Sequence, residues 1–132
     1  MKALDTNVLI RFLVMDDEKQ AHIVRDLFQR SETAQQRLFV PLPVVLELIW
    51  VLESVYDISR QHILDALQKL ILMPVLLFDA QEVLQQLIHS ARKGNEGLAD
   101  LLIAHAAAQS ACSSVLTFDK KVSGHKLFEL LA

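Results

Sequence analysis

The sequence predicts an α/β fold in which a parallel sheet carries helices on both faces. Short apolar segments alternate along the chain with longer segments whose apolar residues recur every three or four positions. The first pattern is typical of buried strands and the second of amphipathic helices. With three Gly and three Pro in 132 residues, few residues are left for long loops. Strands that alternate with helices pair in parallel, and the helices cover both faces of the sheet.

Four short segments are predicted to be strands, and five longer segments are predicted to be helices. The predicted strands are apolar runs next to helix-breaking or polar residues, at positions 2–4, 38–40, 75–78 and 114–118. The predicted helices cover positions 17–30, 44–56 and 63–71, a segment opened by a capping box at Asp79 and Glu82, and positions 98–112. The second and fifth helices are apolar on nearly all sides, which indicates that they are buried.

The length and composition indicate a single folded domain that occupies residues 1–132. Hydrophobic residues make up 52% of the chain and charged residues 22%, as in globular proteins. No apolar run reaches the roughly 18 residues of a membrane-spanning helix, and the first residues lack the pattern of a secretory signal. A single cysteine, Cys112, excludes an internal disulfide. We therefore expect a soluble, cytoplasmic protein.

The net charge of −3 argues against a general polycationic nucleic-acid binder. Residues 92–132 nevertheless contain five basic and four acidic side chains. A solvated charged surface is the favoured interpretation, and a local basic patch is the alternative. The basic residues concerned are Arg92, Lys93, Lys120, Lys121 and Lys126.

Two aspartates stand directly after predicted strands. Asp5 follows the first strand, and Asp119 follows the fourth. In parallel α/β sheets, ligands bind beyond the carboxyl ends of the strands. We therefore expect both carboxylates at the same edge of the sheet. Thr6, Asn7 and Thr117 could support them with hydrogen bonds, or could act only in turns and helix caps.

Two further acids, Glu47 and Asp100, lie alone among apolar residues of predicted helices. Each by itself is more simply explained as a buried residue with a hydrogen-bonding partner, or as part of a narrow wet strip. Together with Asp5 and Asp119 they favour a metal site, because clustered buried carboxylates are stable only with cations or shared protons. Oxygen ligands favour Mg²⁺ or Mn²⁺, and no histidines are spaced for zinc. Such an ion supports hydrolysis of phosphodiesters by activated water.

Four motifs together resemble the PIN-domain family, and within it the VapC-like toxin ribonucleases of toxin–antitoxin pairs. The motifs are ALDTNVLIRFL, VPLPVVLELIWVL, GLADLLIAHAA and SSVLTFDKK, in this order over nearly the whole chain. The resemblance implies a three-layer α/β/α domain with a central parallel sheet of four to five strands. It also implies a Mg²⁺- or Mn²⁺-dependent endoribonuclease that forms a homodimer and is blocked by a small cognate antitoxin protein.

The resemblance also assigns the residues that bind metal and act in catalysis. Carried over position by position, these are Asp5, Glu47, Asp100 and Asp119. One departure is Lys121, which stands where many members have another acid, so the choice between one and two metal ions stays open. Lys120 and Lys121 are candidate contacts for RNA phosphates.

Two other functions compete with the endoribonuclease as interpretations of this sequence. A PIN-like module that binds RNA or protein without cleavage would be expected to lack one or more of the acids, whereas all four are present. A phosphatase with Asp5 as nucleophile would need an acid two residues later, where Asn7 stands. The metal-dependent endoribonuclease is therefore favoured, with an RNA target that the sequence does not identify.

Overall fold

The structure, a computed structural model, describes residues 1–132 and contains six helices and five strands. The chain forms two compact units, Met1–Gln81 and Glu82–Ala132. The first unit contains β1 (Lys2–Ala3), α1 (Thr6–Val14), α2 (Glu18–Thr33), β2 (Leu38–Val40), α3 (Leu42–Ser54), α4 (Arg60–Ile71) and β3 (Leu76–Phe78). The second unit contains α5 (Gln81–Lys93) from its second residue onward, α6 (Leu98–Gln109), β4 (Val115–Thr117) and β5 (Phe128–Leu130). The single domain over residues 1–132 stays a prediction.

The first unit is built on a parallel sheet with the strand order β1-β2-β3. Lys2 pairs with Leu38, and Leu38 pairs with Leu76. Beyond β1, the amide of Leu4 continues the ladder by donating to the carbonyl oxygen of Phe39 at 2.8 Å. Because the strands run in the same direction, their carboxyl ends share one edge of this sheet. The junction between β1 and α1 lies at that edge.

Helix α1 is not among the helices that the sequence predicts. It begins directly after Asp5, which is its N-cap, and it ends at Val14, because the backbone of the C-cap residue Met15 is left-handed with φ 62°. Leu9 and Ile10 are buried in this helix. The predicted first strand is correspondingly shorter and ends at Ala3. The apolar residues after Asp5 therefore belong to a helix face, and Asp5 stands where strand gives way to helix.

The remaining helices of the first unit bury one apolar face each. Helix α1 packs against α2 and α3, and α3 packs against α4. Pro43 stands in the first turn of α3, where a missing amide hydrogen leaves no helical bond unmade. The buried positions of α3 recur at the spacing of one helix face. They are Val45, Leu48, Ile49 and Leu52.

The second unit contains a parallel pair of strands and two helices. Val115 of β4 pairs with Phe128 of β5, and α6 packs against β4. A small core of Ala104, Val122 and Phe128 lies in this unit, with Val115 and Leu127 packed against it. The apolar stripe predicted for α5 is confirmed as buried. It consists of Val83, Leu84, Leu87 and Ile88.

All predicted strands and helices are confirmed, with ends displaced by a few residues. The five strands all pair in parallel, three in one sheet and two in the other. The sequence did not predict β5, because a strand of three residues carries too little alternation to be distinguished. The last helix stops at Gln109, since Ala111 adopts a left-handed φ of 64°. None of the helices combines the length and the apolar character that crossing a membrane would require.

The prediction that α3 and α6 are buried on all sides is wrong. Trp50 on α3 is 59% exposed, and Ile103 on α6 is 50% exposed. Each helix meets the core along one stripe only, so apolar residues on the other side remain at the surface. Apolar neighbours in the sequence therefore do not by themselves indicate that an acidic residue is buried.

Candidate functional site

Asp5 occupies the turn from β1 into α1 and is exposed. Its backbone is extended, with φ −84° and ψ 163°, and its Oδ1 accepts the amide hydrogen of Thr6 at 2.7 Å. A carboxylate at a helix N-terminus is stabilised by the helix dipole and by the unpaired amides of the first turn. The second carboxylate oxygen of Asp5 has no hydrogen bond within the chain, so it is available to a ligand.

The two residues after Asp5 have different surroundings. Thr6 is 3% exposed, and its Oγ1 is buried without a hydrogen-bonding partner. The contact between Thr6 and Asp5 therefore runs through the Thr6 amide. Asn7 is exposed and lies beside Val8 and Arg11 in a shallow apolar groove of the first unit. The supporting roles predicted for Thr6 and Asn7 stay predictions.

Glu47 lies on the outer side of α3 and is exposed. Leu46 and Trp50, which are also exposed, lie beside it on the same helix. Glu47 forms no hydrogen bond and no ion pair within the chain. The expectation of a buried carboxylate is wrong here, because the core takes only the inward stripe of α3. The carboxylate of Glu47 therefore carries its charge in contact with solvent.

Asp100 is the third residue of α6 and is partly buried. Its carboxylate folds back over Gly97, the N-cap of this helix. A Cβ atom added to Gly97 would lie 2.8 Å from Oδ2 of Asp100, closer than real Cβ contacts allow. Gly97 itself has no side chain to cap the helix. The missing side chain at position 97 thus creates the space that the Asp100 carboxylate occupies.

Asp119 follows β4 in a tight turn and is exposed. Its amide donates to Oγ1 of Thr117 at 3.0 Å, and its Oδ1 accepts the amide hydrogen of Lys121 at 2.9 Å. Thr117 therefore holds the backbone amide of Asp119, and its supporting role at the site stays a prediction. The side chains of Lys120 and Lys121 are exposed. Lys121 holds Asp119 through its backbone amide, which leaves its ammonium group for other contacts.

The structure places the predicted acids on elements that pack together within each unit. In the first unit, Asp5 caps α1 and Glu47 lies on α3, and these two helices are in contact. In the second unit, Asp100 lies on α6 and Asp119 follows β4, and these two elements are also in contact. Within neither unit do three or more His, Cys, Asp or Glu side chains group closely enough to hold a metal ion.

Asp79 is an acid at the sheet edge for which the sequence pattern predicts only a role in a helix cap. It follows β3 directly and is exposed, and its amide donates to the carbonyl oxygen of Val40 at 3.0 Å. It therefore lies at the carboxyl edge of the same sheet as Asp5. Two strand spacings of about 4.8 Å separate β1 from β3, so the two carboxylates belong to opposite ends of this edge. Its position directly after a strand was the signal available in the sequence.

The four predicted acids share a lack of cationic partners. Asp5, Glu47, Asp100 and Asp119 form no ion pair with lysine or arginine, in contrast to Asp16 and Asp26, which pair with Arg11 and Arg30. Their charges are therefore not neutralised by neighbouring side chains. All four offer only oxygen donors, which are the ligands that Mg²⁺ and Mn²⁺ prefer. The chemistry of this donor set fits a hard divalent cation.

Comparison with known proteins identifies the family. The family model of the PIN domain matches residues 2–125, a range that contains all four acids. The chain belongs to the PIN-domain family. This membership confirms the predicted fold class, the three-layer α/β/α PIN fold with parallel strands. The chain is also 26% identical to a VapC ribonuclease of Aquifex aeolicus (strain VF5) over 121 residues, which covers 92% of this chain and 89% of that relative.

Proposed function

We propose that this PIN-domain protein is a metal-dependent endoribonuclease and the toxin of a type II toxin–antitoxin pair. The proposal extends to this chain what the name of the Aquifex relative states, a VapC ribonuclease. The observation that carries it is the set of four carboxylates without ion-pair partners, all inside the range of the family match. As a toxin of this kind, it would act in the cytoplasm as a homodimer and be blocked by a small antitoxin protein.

Asp5, Asp100 and Asp119 are proposed to hold the principal Mg²⁺ or Mn²⁺ ion, and Glu47 a second ion or a water next to the first. When bound, such an ion supplies Lewis-acid chemistry to phosphodiester hydrolysis. Asp5 has one carboxylate oxygen committed to the Thr6 amide and the other open. Asp119 is arranged similarly, with one oxygen on the Lys121 amide. Each of these two aspartates can therefore bind a ligand while it keeps the hydrogen bond to the backbone amide of its own turn.

The chain also offers groups that could orient RNA. The ammonium groups of Lys120 and Lys121 are exposed next to Asp119, and they can contact phosphates that flank the scissile bond. Thr117 keeps the Asp119 turn in place through its hydroxyl. Asn7 is exposed as the second residue of α1 and can donate a hydrogen bond from its side-chain amide. These roles are part of the proposal.

The variant Asp5→Asn tests the proposal with little risk to the fold. Asparagine is as good an N-cap as aspartate, so α1 should retain its first turn. The charge at the site is lost, and we expect RNA cleavage and growth inhibition to fall by at least 100-fold. Asp26→Asn is the matched control, because it removes an exposed acid that pairs with Arg30 on α2. An Asp5→Asn protein that cleaves RNA at the wild-type rate in the same Mg²⁺ buffer would contradict the assignment.

A binding module without catalytic activity is the second candidate. The observation in its favour is that three of the four acids are exposed and that neither unit alone groups three metal ligands. Calorimetric titration with Mn²⁺, combined with sequencing of RNA ends after incubation with total cellular RNA, separates the two candidates. Mn²⁺ binding without any new RNA ends would favour the module. The phosphatase has no support beyond the position of Asp5 and would require a phosphoaspartate there.

A further inference from the structure

The second unit contains a cleft of about 320 Å³ that is rich in histidine and lysine. Helix α5 contributes His89 and Lys93, helix α6 contributes His105, and the segment before β5 contributes His125 and Lys126. At about 30 Å³ per water molecule, the cleft has room for roughly ten waters, which is more than a phosphate group requires. These five side chains supply nitrogen donors from three separate elements.

His125 is held in one tautomer by its neighbours. Its Nδ1 accepts the amide hydrogen of Leu127 at 3.1 Å, so in the neutral ring the proton is on Nε2. Nε2 lies 3.4 Å from Oγ of Ser90 and donates to it. A serine nucleophile would need the opposite tautomer, with Nε2 free to accept the hydroxyl proton. The cleft is therefore suited to binding and not to nucleophilic catalysis by Ser90.

His105 has a polar atom that the protein leaves unsatisfied. Its Nε2 is buried without a hydrogen-bonding partner, which is uncommon in folded proteins because a lost hydrogen bond to water is not replaced. Its ring lies edge-on to that of His125, with 6.5 Å between the ring centroids. Burial lowers the pKa of His105, and the nearby His125 and Lys126 lower it further. The ring is thus neutral at pH 7 and can make one more hydrogen bond.

The charge of the cleft favours an anion. Lys93 and Lys126 are exposed and form no ion pair, while Glu96 is the one acid in the lining. The cleft is therefore net positive in a chain whose total charge is −3. A metal ion is a poor fit, because the histidines and Glu96 do not group at ligand spacing. Exposed ammonium groups that share a cleft with imidazole nitrogens are instead the chemistry that binds phosphate.

We propose that this cleft binds a backbone phosphate of the RNA strand, away from the acids that act on the scissile bond. The inference rests on the proposed endoribonuclease function for the identity of the ligand. His105 lies five residues after Asp100 on α6, which places it about 7.5 Å further along the axis and about 140° around it. The cleft and the Asp100 carboxylate thus use different sides of one helix. A phosphate in the cleft would hold the strand while another phosphate is cleaved.

The test measures RNA binding apart from cleavage. A labelled single-stranded RNA of ten nucleotides is titrated with protein in EDTA, and binding is followed by fluorescence anisotropy at several salt concentrations. We expect the double variant Lys93→Gln/Lys126→Gln to raise Kd about tenfold or more. The slope of log K against log salt should decrease by about 1.4, since each lost phosphate contact on a single strand contributes about 0.7.

The matched control is Lys19→Gln/Arg25→Gln, which removes two exposed cations from α2. We expect it to change Kd less than twofold and to leave the salt slope unaltered. His105→Gln should weaken binding several-fold without changing the salt slope, because it alters a hydrogen bond and not a charge. Inorganic phosphate should compete with RNA for the wild type and not for the Lys93/Lys126 variant. Equal Kd values for the two double variants would overturn the proposal.

Failure of this inference and failure of the proposed function give different results. If the wild type cleaves RNA but the cleft variant binds RNA normally, the cleft proposal fails and the nuclease stands. Suppose instead that the wild type binds RNA but does not cleave it in Mg²⁺ or Mn²⁺, and that the cleft variant no longer binds RNA. The nuclease proposal then fails and the cleft proposal stands. Binding of inorganic phosphate by the wild type, with no RNA binding at all, would assign the cleft to a small phosphate-containing ligand and overturn the RNA proposal.

Discussion

Replacing Gly97 with alanine should impair the site while leaving the fold nearly unchanged. The backbone at Gly97, with φ −59° and ψ 142°, is accessible to alanine without strain. The added Cβ would however lie 2.8 Å from Oδ2 and 3.6 Å from Cγ of Asp100. Ordinary contacts begin near 3.4 Å, so the Asp100 carboxylate must move by about 0.6 Å. The substitution is therefore expected to displace the Asp100 carboxylate and little else.

The expected effects on stability and on activity differ in size. Alanine is a poorer N-cap than glycine, which costs on the order of 1 kcal/mol. Reduced freedom of the unfolded chain offsets this by about 0.4–1 kcal/mol, so the free energy of unfolding should change by less than about 1 kcal/mol. A displacement near 1 Å in a catalytic group costs on the order of 100-fold in rate. We expect RNA cleavage by Gly97→Ala to fall about 10- to 100-fold.

Gly124→Ala is the matched control for this experiment. It lies in the same unit, and a Cβ added there meets no atom within 4 Å. Cleavage of one RNA is measured for both variants under single-turnover conditions, and thermal unfolding is followed by circular dichroism. If both variants unfold like the wild type and Gly97→Ala also cleaves like Gly124→Ala, the position of the Asp100 carboxylate is irrelevant to cleavage. That result would refute the role assigned to Asp100.

Two further predictions concern the second unit. Thr117→Val removes the hydroxyl that accepts the Asp119 amide hydrogen. The rate of RNA cleavage should fall several-fold, and the free energy of unfolding should fall by about 0.5–1.5 kcal/mol. Unchanged single-turnover cleavage would contradict a supporting role for Thr117. Burial lowers the pKa of His105 in the folded chain, and the nearby His125 and Lys126 lower it further. Below the ordinary histidine pKa of about 6.5, the unfolded state therefore binds more protons at this residue than the folded state does. Stability should therefore fall as the pH drops from about 6.5 through the lowered pKa and be unaffected by this group above pH 6.5. Urea unfolding at pH 7.5 and 5.5 checks this, because His105→Gln should lose less stability on acidification than the wild type; an equal loss would show that His105 is not responsible.

Local patterns were sufficient to predict most of the secondary structure. The three-four spacing of α5 and the apolar runs of β2 and β3 are properties of neighbouring residues, and the structure confirms them. The same local patterns placed acids directly after two strands, at positions 5 and 119. The exceptions are α1 and β5. The three residues of β5 are stabilised by pairing with β4 and not by their own pattern. Such pairing is a tertiary property and leaves little trace in the sequence.

Residue patterns along the chain were enough to predict the α/β class, the order of most elements, the four acids and their resemblance to PIN domains. The packed fold was needed to show that Glu47 is exposed, that Gly97 makes room for Asp100, and that distant histidines line one cleft. The physical reason is that periodicity and residue type act over a few neighbours along the chain. Exposure, close approach and the unsatisfied nitrogen of His105 depend on what other segments bring to the same place.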